Sequence, residues 1–221
     1  MRLSSILFSL VVLAGSLQAG TISAVPTRLA LNANDIVAWG TSAQDGESQT
    51  LPYVVSSSLG LMTSSGAPSL TVFQQNGALS GFLANFADGE ILLTAIDGGP
   101  MEISFATPIR GIGFNIAHVV PGAFTGQIAF YGAGNVLFGS VSQSGTSSFD
   151  NDGSAVFIGG TSSLRDVVRV VVSVDSQSGT DGFSINQASL LTTDANPEIP
   201  EPSTVTMFSI AAVAAFAAHR R

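Results

Sequence analysis

The chain has 221 residues, 45% of them hydrophobic, a net charge of −8, and neither cysteine nor lysine. That composition supplies a full core but excludes disulfide staples, thiolate metal centres, P-loop phosphate sites and Schiff-base lysines. An acidic chain without a basic cluster is also a poor partner for nucleic acid, whose binding rests on neutralising phosphates.

The first element is a leader. Arg2 precedes an apolar stretch over 6–14, which ends in Gly15-Ser16-Leu17-Gln18-Ala19. A charged start, a core of roughly 7–15 apolar residues and a small-residue site predict a secretory signal peptide over 1–19, cleaved after Ala19. Residues 20–195 then form the expected body, one domain of ordinary size. It carries four arginines, Arg28, Arg110, Arg165 and Arg169, against thirteen acids.

The body reads as strands. Early candidates are 51–56, 59–63, 69–74 and 91–96, followed by 101–105, 112–117, 124–131, 135–142, 155–158, 167–174 and 183–191. In one of them Ile112, Phe114 and Ile116 alternate with Gly113, Asn115 and Ala117. Period-two alternation rich in Val, Ile, Phe and Thr is the strand signature, and no helical stripe interrupts it. Asp-Gly pairs begin at Asp45, Asp88, Asp97, Asp152 and Asp181, and Asn76-Gly77 joins them. Such pairs predict tight turns because both residues tolerate positive φ. About ten short strands between Gly-rich turns predict an all-β fold, a single antiparallel β-sandwich or jelly-roll-like domain.

No catalytic set stands out. His118 is the sole histidine of the body, no other histidine serves a serine nucleophile, and no Gly-x-Ser-x-Gly elbow occurs. Asp97 and Glu102 flank Gly98-Gly99-Pro100; brought together across a hairpin, they are the pair a glycosidase would need, and otherwise they are turn acids. Asp150-Asn151-Asp152-Gly153-Ser154 gathers oxygen ligands around a glycine turn, as calcium loops do, without the full twelve-residue EF-hand pattern. Asp181 joins Asp150 and Asp152 as a structural-calcium candidate only by resemblance to carbohydrate-binding sandwiches, where an acid before the last strand helps hold the ion. Trp39, beside Asp35 and Asp45, is the candidate sugar platform; the competing reading is a core plug.

The last element is the sequence Asn196-Pro197-Glu198-Ile199-Pro200-Glu201-Pro202-Ser203, an apolar run to Ala218, and His219-Arg220-Arg221. The sixteen residues 203–218 fall short of the about 20 that a spanning helix usually needs, so neighbours such as Ile199 must contribute. Arg220 and Arg221 form the membrane stop and stay cytoplasmic. Two prolines keep Pro200-Glu201-Pro202 extended, a form a processing enzyme can take up.

Motif, short apolar helix and basic end together resemble a PEP-CTERM sorting signal over 196–221, with His219 where that family often has another arginine. The resemblance implies an exosortase as processing partner and an envelope that produces exopolysaccharide. It also implies transient membrane anchorage before release to the cell surface or extracellular space. The body resembles the β-rich ectodomains that accompany this tail, through a strand over 107–116 and the closing stretch 181–187. The expected function is an exported, non-catalytic surface or matrix protein with a structural or adhesive role and no cofactor. The alternative is a carbohydrate-binding module, calcium-assisted, associated with exopolysaccharide. A polysaccharide hydrolase using Asp97 and Glu102 is the third reading.

Overall fold

In a computed structural model, the described residues are 19–40, 47–57, 60–65, 69–74, 85–176 and 182–193. Residues 1–18 of the expected leader, the whole sorting signal 196–221 and the calcium candidate Asp181 lie outside them. Among the described residues no helix is long and apolar enough to cross a membrane.

The alternating segments form strands as expected. In chain order they are β1 (Ile22–Ala24), β2 (Asp35–Val37), β3 (Glu47–Gln49), β4 (Tyr53–Ser57), β5 (Gly60–Ser65), β6 (Leu70–Gln74), β7 (Ile91–Ala95) and β8 (Met101–Ile109). There follow β9 (Gly111–His118), β10 (Gly122–Tyr131), β11 (Leu137–Ser147), β12 (Val156–Ser162), β13 (Val167–Ser176), β14 (Phe183–Ile185) and β15 (Ala188–Leu191). Every pairing is antiparallel, and two sheets result. The larger runs β1-β12-β9-β14-β7-β6-β3, with β15 and β2 joined beside β9; the smaller runs β11-β10-β13-β8-β5-β4. The protein is an all-β, two-sheet antiparallel sandwich.

The core lies between the sheets because alternate residues of each strand point there. Met101, Ile103, Ile128, Phe130, Val170 and Val172 of the smaller sheet meet Ile112, Phe114, Ile116, Phe183 and Ile185 of the larger, all at 0% exposure. A smaller cluster of Phe86, Leu92, Ala117 and Ala155 forms separately. On the far side of the larger sheet the Phe157 ring needs a flat bed. A Cβ on Gly113 would sit 2.4 Å from that ring, so any larger residue there forces the ring to shift.

Three local expectations change: the expected strand 183–191 is two strands, β14 and β15, interrupted at Asn186 and Gln187. Residues 107–116 are two strands, because β8 ends at Ile109 in one sheet and β9 starts at Gly111 in the other. Buried Ile109 and Ile112 stand three apart, a phase flip that period two cannot absorb within one strand. The Asp-Gly turns also differ. Gly89, Gly98 and Gly153 take positive φ while their aspartates do not. Asp97-Gly98 and Asp152-Gly153 carry the chain from one sheet to the other and close no hairpin.

Candidate functional site

Trp39 is fully buried at 0% exposure, and its indole Nε1 donates to the Asn186 carbonyl at 2.8 Å. Its own carbonyl accepts the Tyr53 hydroxyl. A face packed into the core cannot stack on a sugar, which removes Trp39 as a platform; apolar area outweighed the polar neighbours that suggested exposure.

The two acids of the candidate pair have different partners. Asp97 accepts a hydrogen bond from Ser69 at 2.7 Å, whereas Glu102 pairs with Arg169 at 2.9 Å. That guanidinium lies 4.1 Å above the Tyr131 ring, so Glu102 is held in a sheet-surface cluster. His118 is buried, with Nδ1 2.7 Å from the Val120 carbonyl and its ring stacked near Phe124.

Asp150 and Asp152 occupy the exposed link between β11 and β12. Asp152 spends an oxygen on the Ser154 N–H at 3.0 Å, and its carboxyl is held below the usual range by hydrogen bonds from the Ser154 side chain and backbone. Among the described residues no three His, Cys, Asp or Glu side chains converge as a metal site. Asp181, the third residue of the calcium candidate, lies outside the described residues.

The structure instead concentrates polar chemistry at Asn186, in the short link between β14 and β15. Its N–H donates to the Asn115 carbonyl at 3.1 Å. Its side-chain Oδ1 accepts from the Asn115 N–H at 2.8 Å and from Arg28 at 3.0 Å. Its Nδ2 donates to Glu90 Oε1 at 2.7 Å, and Glu90 Oε2 accepts from the Ala87 N–H at 2.9 Å. With the Trp39 indole on its carbonyl, Asn186 is 4% exposed and bonded at every kind of polar atom it carries.

Arg28 completes the network. It donates to Asn115 Oδ1 at 3.0 Å, to the Gln187 carbonyl at 3.3 Å and to Ser189 Oγ at 2.5 Å. Its guanidinium lies 5.8 Å from the Phe157 ring centre. Burial pulls its pKa down, and the Glu90 charge pulls it back up. A guanidinium nonetheless stays protonated, so the half-buried charge is balanced by oriented oxygens, as such a charge must be.

Beside this network lies a cleft of about 400 Å³, lined by Ala38, Asp88, Glu90, Ile91, Asn186 and Gln187. Asp88 is steadied by the Asn151 amide at 2.6 Å. A carboxylate has about four acceptor sites, and the two described bonds to Glu90 leave room for hydroxyl donors. Exposed amide and carboxylate groups over a rigid sheet suit a polyhydroxylated ligand better than an apolar one.

No family model matches the chain, and no curated protein matches it. Among solved structures it is similar to a DUF4465 family protein from Bacteroides caccae, at 12% identity over 78% of this chain and 100% of that one, with a TM-score of 0.43. It is also similar to TmCBM61, solved with β-1,4-galactotriose, at 16% identity over 60% of this chain and 88% of that one, with a TM-score of 0.36.

Proposed function

We propose that this chain is an exported, non-catalytic component of a bacterial cell surface or matrix, and that its sandwich holds polysaccharide at the cleft beside Glu90 and Gln187. The observation that carries the binding reading is the Glu90 carboxylate, fixed by Asn186 and Ala87 at the cleft wall. A fixed acceptor needs little ordering when a hydroxyl arrives, which lowers the entropic cost of association. Engagement of Asp97, Glu102 and His118 in separate structural contacts supports the absence of catalysis.

Export and sorting rest on the sequence alone. The leader takes the chain across the inner membrane, and the 203–218 stretch holds it there with Arg220 and Arg221 inside. An exosortase then cuts near Pro200-Glu201-Pro202 and frees the body for the surface. A structural or adhesive role and polysaccharide binding are one job in this reading: a matrix protein joined to its polymer.

Titration calorimetry with exopolysaccharide from the producing cells tests the cleft. Heat with the native chain, lost in Glu90→Gln and Gln187→Ala, is the expected result. No heat with the native chain removes the polysaccharide and leaves only the structural role. Intact-mass analysis of secreted protein from cells with and without the exosortase tests the sorting, which fails if residues 197–221 persist in both.

A further inference from the structure

One end strand of the smaller sheet is guarded by little more than a bulge at its start. Among the described residues β11 pairs only with β10, so alternate N–H and C=O groups along its other side point away from the sheet. Edge strands are normally guarded by charge, by proline, by shortness or by a bulge. Across 137–147 there is neither a charged residue nor a proline, and eleven residues is long against a usual strand length of about 5–6. A register shift at Phe130/Tyr131 leaves Phe138 as an extra residue near the start, but from Gly139 to Ser147 the register is continuous.

Both ends of this strip expose apolar side chains. Val136 and Leu137 are 53% and 56% exposed at its start, and Phe149 is 54% exposed just past its finish. We infer that β11 pairs with the β11 of a second copy, antiparallel about a two-fold axis at Gln143, so that the two smaller sheets run on as one. In that register Gly139 faces Ser147 and Ser142 faces Ser144, while the bulge at Phe138 shifts the phase beyond, so that Val136, Leu137 and Phe149 flank the pairing as exposed apolar ends.

Charge favours this occupant. Copies of a chain with net charge −8 repel one another over most of their surface, but an uncharged strip meets its own image without repulsion. Asp150, the acid nearest in sequence, lies past the end of β11 and outside the paired residues. A two-fold contact is also closed, so it ends at a dimer. The inference does not rest on the polysaccharide cleft, which belongs to the larger sheet.

Sedimentation velocity of the full chain in mild detergent tests it, the detergent shielding the apolar 204–218 stretch. The native chain is expected to run as a dimer. Ser142→Lys with Ser144→Lys sets lysines opposite each other about 5 Å apart and is expected to give monomer. Ser142→Lys with Ser144→Glu sets Lys opposite Glu in this register and is expected to keep the dimer. Because the chain has no cysteine, Gln143→Cys is expected to form a disulfide-linked dimer on mild oxidation, while Ser173→Cys in mid-sheet stays monomeric under denaturing electrophoresis. Circular dichroism checks that each variant folds, and the Gln143→Cys arm stands even if a lysine variant does not. A monomeric native chain, equal behaviour of the two charged variants, or equal cross-linking at positions 143 and 173 overturns the inference.

Discussion

Asn186 and Glu90, 96 residues apart in the chain, meet through a hydrogen bond of 2.7 Å from the amide Nδ2 to the carboxylate Oε1. The contact joins the link between β14 and β15 to the loop that leads into β7. It therefore ties the cleft wall to the same amide that holds Arg28 and Asn115. Cleft geometry and fold stability share one side chain here.

Replacing that side chain is expected to cost both. Asn186→Ala leaves Arg28, Glu90 and the Asn115 N–H each short of a partner, and unsatisfied buried groups of this kind cost about 1–3 kcal/mol apiece before relaxation and water recover part. A net loss of about 2–4 kcal/mol is expected in urea unfolding, within the upper range for single substitutions. Glu90→Gln keeps the shape but turns its NH2 against either the Asn186 amide or the Ala87 N–H, so it is expected to cost about 1–2 kcal/mol, less than Asn186→Ala, while weakening polysaccharide binding. Equal destabilisation by the two variants would count against this division of labour.

Trp39 is the single tryptophan of the chain, which makes its burial directly readable. Its fluorescence is expected to be blue-shifted and resistant to iodide in the folded protein, becoming quenchable on unfolding. Trp39→Phe removes the indole donor to the Asn186 carbonyl and leaves a void, at a combined cost of about 2–4 kcal/mol. Strong iodide quenching in the native state would instead mean that the ring faces water.

The strands were largely legible because a two-sheet core imposes period two on every long segment that crosses it. Residues 124–131 and 167–174 fall wholly inside β10 and β13. The three-residue strands β1, β2 and β3 escaped, since so short a run cannot show a period. The jump between sheets at Arg110 is written in the sequence as the Ile109-to-Ile112 phase flip, which the nearly continuous apolar residues around it mask. The site was not legible in the same way. Arg28 and Asn186 lie 158 residues apart, and no local spacing relates residues that only sheet pairing brings together. Trp39 misled because its acidic neighbours describe the sequence around it, not the packed surroundings of its ring.

Gly113 offers a sharper test of the larger sheet. A methyl group there would lie 2.4 Å from Phe157 Cζ and 3.1 Å from the Ile158 carbonyl oxygen. The ring can move but the backbone cannot, so Gly113→Ala is expected to cost about 1–3 kcal/mol through overpacking. Adding Phe157→Leu is expected to recover part of that loss, giving a coupling that a double-mutant cycle measures. Strict additivity of the two changes would show that the ring does not lie over this glycine.

The link between β11 and β12 should respond to acid in a defined direction. Asp152 titrates below the ordinary carboxylate range because the Ser154 side chain and N–H hydrogen-bond its charged form. A carboxyl whose folded pKa is depressed stabilises the fold above its unfolded pKa, and that contribution fades as pH falls through the lowered folded value. Asp152 is exposed, so the effect is local to the turn and adds little to global stability. Carbon-13 NMR of the Asp152 carboxyl is expected to give a midpoint below that of an unfolded reference, and Ser154→Ala is expected to raise it. A midpoint that Ser154→Ala leaves in place would mean that something other than this hydrogen bond holds the charge.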